Sequence, residues 1–466
     1  MEKQSIDASS VEQEFIYEDD GAIKATFLSE ILAAIESGNE EFLAVEIDQL
    51  HESELGDLLE ALEPEQRQKL VELSGDSFDL TSLTEVDEAI RMEIVEAMPN
   101  EQIAEAFRDL DSDDAVYILE DMEASDQEEI LARMPIQERV GLQRALDYPE
   151  DTAGRRMQTE FIAVPPFWTI GQTIDHLREA DDLPDRFSEI FAIDPSFKLA
   201  GTVELDKLLR SQRDDKIEDI LSENLHPIPA IMDQEEAAMV FERYDLLSAA
   251  VIDENDRLVG VLTIDDVVDV IHEEAEEDIK RLAGVGDEEL SDNVMETARS
   301  RFVWLFANLI TAIAASIIIG LFDATIQQMV ALAVLMPIVA SMGGNAGTQT
   351  MTVAVRALST RDIDTYNAKR IIRREVMIGF INGGIFAVLV GVIASIWFSS
   401  AALGVVIAIA MIINMVFAAL AGILIPLGLH KLDIDPAIAS SVFVTTVTDV
   451  VGFFAFLSLA SWWLLA

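Results

Sequence analysis

One carboxylate stands inside the last long apolar stretch of the chain. That stretch runs from Ser440 to Leu465, and its middle reads Thr445-Thr446-Val447-Thr448-Asp449-Val450-Val451-Gly452. An ionised acid in hydrocarbon costs at least ~2–3 kcal/mol, so such groups face a protein interior or a water-filled path. Three threonine hydroxyls lie within a helical turn of Asp449. A cation site in a pore fits these residues, and so does a carboxylate that pairs with a neighbouring helix. A second polar interruption upstream favours the pore: Pro337, then Ser341-Met342-Gly343-Gly344-Asn345-Ala346-Gly347-Thr348-Gln349. Pro337 is expected to kink a helix and the glycines to loosen it. Non-helical backbone at membrane depth is tolerated where it is buried or lines water. Freed carbonyls and the amides of Asn345 and Gln349 would then meet an ion's water shell. The same glycines also suit a close helix crossing.

The composition separates two bodies. Residues 301–466 hold eight Lys/Arg against seven Asp/Glu. Of the chain's 31 basic and 86 acidic side chains, 23 and 79 therefore fall in residues 1–300. A field that acidic repels nucleic acid and anionic lipid and attracts cations; general surface acidity of a salty habitat accounts for it as well. There is no cysteine, which excludes disulfides and thiolate metal sites. Oxygen ligands remain, and these suit hard ions such as magnesium, calcium and manganese. The five histidines are scattered without ligand spacing. No nucleophile–base set, phosphate loop or thiol speaks for an enzyme. The N-terminal residues lack the basic and apolar regions of a signal peptide, which predicts that the acidic body stays in the cytoplasm.

The elements that position these residues follow in order. Residues 1–22 read as a disordered acidic tail. Residues 23–150 read as an all-α helical-repeat domain: apolar residues recur at spacings of three and four, with breaks at Pro64, Pro99 and Pro135. From residue 151 the texture becomes α/β. Strand, helix, strand, strand, helix occurs over 151–215 and again over 216–272. This internal repeat resembles a tandem pair of cystathionine-β-synthase (CBS) domains. The second copy carries Gly260-Val261-Leu262-Thr263-Ile264-Asp265-Asp266, in which the resemblance gives Thr263 and Asp266 the ribose and phosphate of an adenine nucleotide such as ATP. The first copy has Gly201-Thr202-Val203-Glu204-Leu205 instead, leaving one nucleotide site or a purely structural dimerisation module.

The last helix of the second copy runs on through Glu273, Glu274, Glu276, Glu277 and Asp278. Like charges so spaced repel and weaken a helix. A solvated acidic face is one reading; a helix that needs a cation to settle is the other. Residues 273–300 form this connecting helix and a linker. Five apolar stretches follow, at about 302–322, 326–352, 376–398, 403–429 and 437–465, each long enough to cross a bilayer. Arg356, Arg361, Lys369, Arg370, Arg373 and Arg374 lie between the second and third, and Lys431 between the fourth and fifth. The positive-inside rule then puts the N-terminus in the cytoplasm and the C-terminus outside a plasma membrane.

With both interruptions in view, the chain resembles the MgtE family of magnesium channels over nearly its whole length. The most specific pieces are Gly343 to Gln349, Glu274 to Ile279, and Asp435-Pro436-Ala437 leading to Thr448-Asp449-Val450-Val451-Gly452. The resemblance implies a homodimer with the pore on its two-fold axis, in which Mg2+ is both transported and regulatory. It places the selectivity-filter acid at Asp449, a pore-facing residue at Thr445 beside Thr446, and the cytoplasmic mouth at Asp435; Gly344 and Asn345 belong to the same path. It implies magnesium-sensing carboxylates at Asp266, Asp269, Glu274, Glu277 and Asp278, at Asp233, Glu235 and Asp245, and at Asp114. Two positions depart from the family. Glu276 stands where an uncharged residue is usual, and Ser441 where some members have Asn. Asp266 is claimed by both the nucleotide and the cation.

The expected mechanism is uptake of hydrated magnesium, closed by cytosolic magnesium held between acidic domains and connecting helices. Two unscreened carboxylates about 6 Å apart at an effective dielectric near 20 repel by roughly 3 kcal/mol. Ions filling such gaps reverse the sign and favour the closed state. A proton- or sodium-coupled carrier and a nucleotide-sensing receptor without transport remain the other classes.

Overall fold

The computed structural model describes residues 16–18, 21–108, 110–180, 183–184, 186–222, 224–285, 294–360, 363, 367–432 and 434–464. Most of the expected acidic tail, the linker after Val285 and Arg361 lie outside the described residues. The chain forms two compact units, one ending at Glu274 and one beginning at Ala275.

The first unit opens with short helices from Ala25–Ser37 to Ile136–Leu146. The prolines fall where the sequence predicts. Pro64 begins the helix Pro64–Ser74, while Pro99 and Pro135 immediately precede helices beginning at Asn100 and Ile136. At the first helical position the missing N–H has no partner to lose. One apolar face per helix, such as Leu55, Leu58 and Leu59, closes into a single core.

Two three-stranded sheets follow. The first joins β1 (Ala163–Val164), β2 (Glu189–Ile193) and β3 (Leu199–Glu204); the second joins β4 (Ile228–Pro229), β5 (Ser248–Ile252) and β6 (Leu258–Thr263). In each, the first pair is parallel and the second antiparallel, with a register shift at the same place. The repeat thus extends to order, direction and bulge. The intervening helices are capped as their sequences direct. Thr169 and Gln172 form a reciprocal capping box, and Asp233 accepts from the backbone N–H of Glu235 and Glu236.

A single helix, Ile264–Ala283, carries the acidic run to its end. Lys280 and Arg281 sit one turn after Glu276 and Glu277 and pair with them, which offsets the like-charge repulsion anticipated there.

Among the described residues, the second unit contains five helices long and apolar enough to span a membrane: Thr297–Gly320, Ala331–Ser359, Ala368–Trp397, Ala401–His430 and Ser441–Leu464. A short helix, Asp323–Gln328, connects the first two. The fourth span is the most buried and packs against the second, third and fifth. Glycines permit the close approach: a Cβ on Gly379 would meet the Met415 carbonyl at 2.8 Å, and one on Gly391 the Gly404 carbonyl at 2.9 Å.

The second span corrects the expected interruption. Ala331–Ser359 is one continuous helix of 29 residues with Pro337 inside it. Its glycines provide room for neighbours and free no carbonyls. A Cβ on Gly347 would stand 2.5 Å from Val444, and one on Gly343 would stand 2.2 Å from the Asn414 amide. Close helix crossing is the physical reason for Gly343 and Gly347, whereas a Cβ on Gly344 would meet nothing within 4 Å.

Candidate pore and cation-binding carboxylates

Asp449 sits half-buried near the middle of the last span. It makes no ion pair or hydrogen bond among the described residues, so it does not tie its helix to a neighbour. The face Val444, Thr448, Phe456 and Ala460 is buried in the bundle, with Thr448 fully enclosed. Thr445 and Asp449, four residues apart, lie one position round from that face; Thr445 is exposed. The threonine hydroxyls turn inward. Thr445 donates to the Ser441 carbonyl at 2.9 Å, Thr446 to Val442 at 2.6 Å and Thr448 to Thr445 at 2.9 Å. Such bonds within a helix leave the oxygen lone pairs facing away from its backbone. On the second span Asn345 is exposed and Gly344 half-buried with open space beside it.

At the start of the last helix Asp435 is already engaged. One oxygen caps the Ala437 N–H at 2.7 Å and the other accepts from Arg281 at 2.7 Å. Arg281 also pairs with Glu277. Asp278 accepts from Ser359 at 3.1 Å, and its carboxyl is raised above its ordinary pKa by burial, with Asp435 adding to the rise. Leu282 packs on Met351, Val355, Ala437 and Val444. Glu277, Asp278 and Asp435 therefore converge, although an arginine already bridges two of them.

In the first unit a helix beginning at Ser112 brings Asp113 and Asp114 to the start of the helix that carries Asp266. Asp113 is only 8% exposed, and its Oδ1 has no hydrogen-bond partner among the described residues. It shares a hydrogen bond with Asp266, which in turn accepts from Thr263. Burial, then the charge of Asp266, pushes Asp113 far above the usual carboxylate range and lifts Asp114 to about 7; burial lifts Asp266 to about 6. Glu85 and Asp269 are raised by burial and by nearby acids. The adjoining cavity, about 580 Å³, is lined by ten acidic side chains and one arginine, Arg186.

Both claims on Asp266 meet at this cavity: Thr263 donates to it, and the surrounding acids form a donor set that a divalent cation would neutralise, giving Asp113 Oδ1 a partner. Among the described residues, no three potential ligands are drawn around one point as in a tight metal cage.

The remaining expected ligands lie elsewhere. Asp233 and Glu235 open the helix Gln234–Tyr244 and Asp245 closes it in a left-handed conformation. Eleven residues at about 1.5 Å each separate the two ends, so these residues do not form one site within the chain. Glu274 accepts from Gln234 at 2.7 Å. Gln234 also accepts from Arg156 at 3.1 Å, and Arg156 pairs with Glu273 at 3.0 Å. The Tyr117 ring lies under the guanidinium groups of Arg91 and Arg156, at 4.4 and 5.0 Å.

Sequence reasoning overlooked Asp113, Arg156 and Asn414. Asp113 reads as an ordinary first-turn acid, and nothing local marks Arg156. Asn414 did carry a signal, as the lone amide in the fourth span.

The chain is similar to known proteins over most of its length. Residues 336–459 match the MgtE model, described as a divalent cation transporter; residues 50–151 match the MgtE intracellular N domain and residues 217–273 the CBS domain. The magnesium transporter MgtE of Bacillus subtilis (strain 168) is 30% identical over 385 residues, covering 82% of this chain and 85% of that protein. The magnesium transporter MgtE of Thermus thermophilus is 32% identical over 320 residues, covering 67% and 70%. The crystal structure of the cytosolic domain of the Mg2+ channel MgtE in complex with ATP is similar at a TM-score of 0.49 and 24% identity, over 52% of this chain and 99% of that one. With a lone acid in its last span, crowded acids in its first unit and relatives matched over most of their length, this chain belongs to the MgtE family of divalent cation transporters.

Proposed function

We propose that this chain forms a magnesium-selective channel that cytosolic magnesium closes. The observation that carries the reading is Asp449, an acid within a membrane-spanning helix that has no ion pair or hydrogen bond among the described residues and lies beside the oxygens of Thr445 and Thr446. Two copies meeting about a two-fold axis would set two such acids around one hydrated ion. Magnesium releases its waters reluctantly, so the site would select by charge and by the size of the hydrated ion. The N-terminal unit lies in the cytoplasm and the C-terminus outside, as the basic loop between the second and third spans favours. Asp113, Asp114, Asp266 and Asp269 form one sensing site. Glu277, Asp278 and Asp435 form a second, where magnesium competes with Arg281. Asp233, Glu235, Asp245 and Glu274 contribute where two copies meet.

The test is magnesium uptake and single-channel current with cytoplasmic magnesium varied, in the parent protein and Asp449→Ala. Uptake in the variant should fall by a factor of about 100, on the scale of losing a charged ligand. Current in the parent should decline as cytoplasmic magnesium rises. Unchanged uptake in Asp449→Ala removes the pore, and flux that requires a proton or sodium gradient replaces the channel with a coupled carrier.

A further inference from the structure

The fourth span contains one side-chain amide, Asn414, in an otherwise apolar stretch of 30 residues that ends at His430. The amide is fully buried. Its Nδ2 donates to the Val339 carbonyl of the second span at 2.7 Å, which fixes the orientation of the group, since the donor end must face that oxygen. Glycines stand on both sides of it. A Cβ on Gly343 of the second span would lie 2.2 Å from Nδ2, and a Cβ on Gly452 of the last span would lie 2.8 Å from it. Three helices therefore meet on one amide. Gly452 is three residues after Asp449, close to one turn of a rigid helix. Gly343 immediately precedes Gly344 and Asn345. An amide held in apolar surroundings costs a few kcal/mol unless it is hydrogen-bonded, and Oδ1 of Asn414 accepts nothing among the described residues. A leucine would fill the same space without that cost.

We propose that Asn414 is a positioning residue of the conduction path: its amide locks the Gly343 segment of the second span against Gly452 of the last, and so sets where the Asp449 carboxylate stands. The inference rests on the channel reading above. Asn414 does not touch the ion; it determines how far apart the ion's ligands are held, and therefore discrimination between ions of different hydrated size. A residue that merely filled space would affect folding but not that discrimination.

The test measures magnesium uptake, the calcium-to-magnesium flux ratio and thermal unfolding for the full-length protein in vesicles. Asn414→Leu keeps the volume and removes the amide. Asn414→Asp, protonated in such surroundings, keeps both the size and a donor to Val339. The flux ratio should rise about fivefold in Asn414→Leu, the scale of one buried hydrogen bond, and stay near the parent value in Asn414→Asp. If Asn414→Leu does not give folded protein, Asn414→Ala combined with Gly343→Ala supplies the lost volume and is read in the same way. A parent-like ratio in the amide-free variant overturns the proposal, and so does an equal rise in Asn414→Asp. Asp449→Asn is measured alongside. If it leaves uptake and ratio untouched, the pore reading itself fails; if it alters them while the Asn414 series does not, only the positioning role fails.

Discussion

The two ends of the helix Ser112–Glu120 bury acids in opposite ways. At its start, Asp113 and Asp114 meet Asp266, and among the described residues that line the adjoining cavity Arg186 is the one arginine. At its end, Glu120 lies 3.5 Å from Arg155 and 3.7 Å from Arg156, and Arg156 reaches on to Glu273. Burial still lifts Glu120 to about 7 against the pull of Arg156 and Arg155, so even the paired end is under strain from desolvation. At that end the protein supplies both charges. At the other end it supplies the acids alone. One end of a single helix thus holds the helical domain on its neighbour, and the other end leaves its acids crowded together.

Removing Arg156 should produce the largest effect. It leaves the buried Glu120 with Arg155 alone at 3.5 Å and takes the arginine from Glu273, whose side chain is 38% exposed, and from Gln234 and the Tyr117 ring, which together cost about 3–4 kcal/mol. Hydrogen exchange along Ser112–Glu120 in Arg156→Ala should accelerate accordingly; unchanged protection would erase the contrast between the two ends.

The next effect is pH dependence. Asp113 and Asp114 are protonated more readily in the folded chain than in the unfolded chain. Their neutral forms therefore contribute stability that is complete below about pH 4 and is lost as the pH rises through about 7. In a chelator the first unit should weaken by roughly 2–4 kcal/mol across that window. Millimolar magnesium should flatten the slope, and Asp113→Asn should flatten it without magnesium. A slope identical in parent and variant would place the sensitivity elsewhere.

The smallest effect is expected from Glu276→Ala. Glu276 pairs with Lys280 at 3.1 Å, but its side chain is 67% exposed. Such pairs contribute about 0.3–0.5 kcal/mol, and the change in unfolding free energy should not exceed that. A larger loss would show that a supplied counter-charge matters as much at the surface as it does at Arg156.

Much of this molecule is legible in its residues. Helix period, proline positions, the repeated strand order and five apolar stretches are local properties, and the elements fall where they predict. Asp449 is legible because an acid in an apolar span has few explanations. What sequence hides is partnership. Asp113 looks like a helix-start acid and Asp266 like half of a nucleotide motif, and only folding puts them against each other. The glycines of the second span suit a broken helix or a close contact, and the contact is made by Asn414 and Val444, about 70 to 100 residues away. Asp435 likewise reads as an open pore mouth until Arg281 arrives from another helix.

The inward-turned hydroxyls of the last span have a consequence for the sign of charge. With the protons of Thr445 and Thr446 directed into their own helix, that surface offers lone pairs and no donors beside a carboxylate. Chloride approaching it would find nothing to hydrogen-bond and a like charge to repel it. In the proposed channel, selection by the sign of charge on this surface would then rest on the carboxylate together with the direction of two small dipoles.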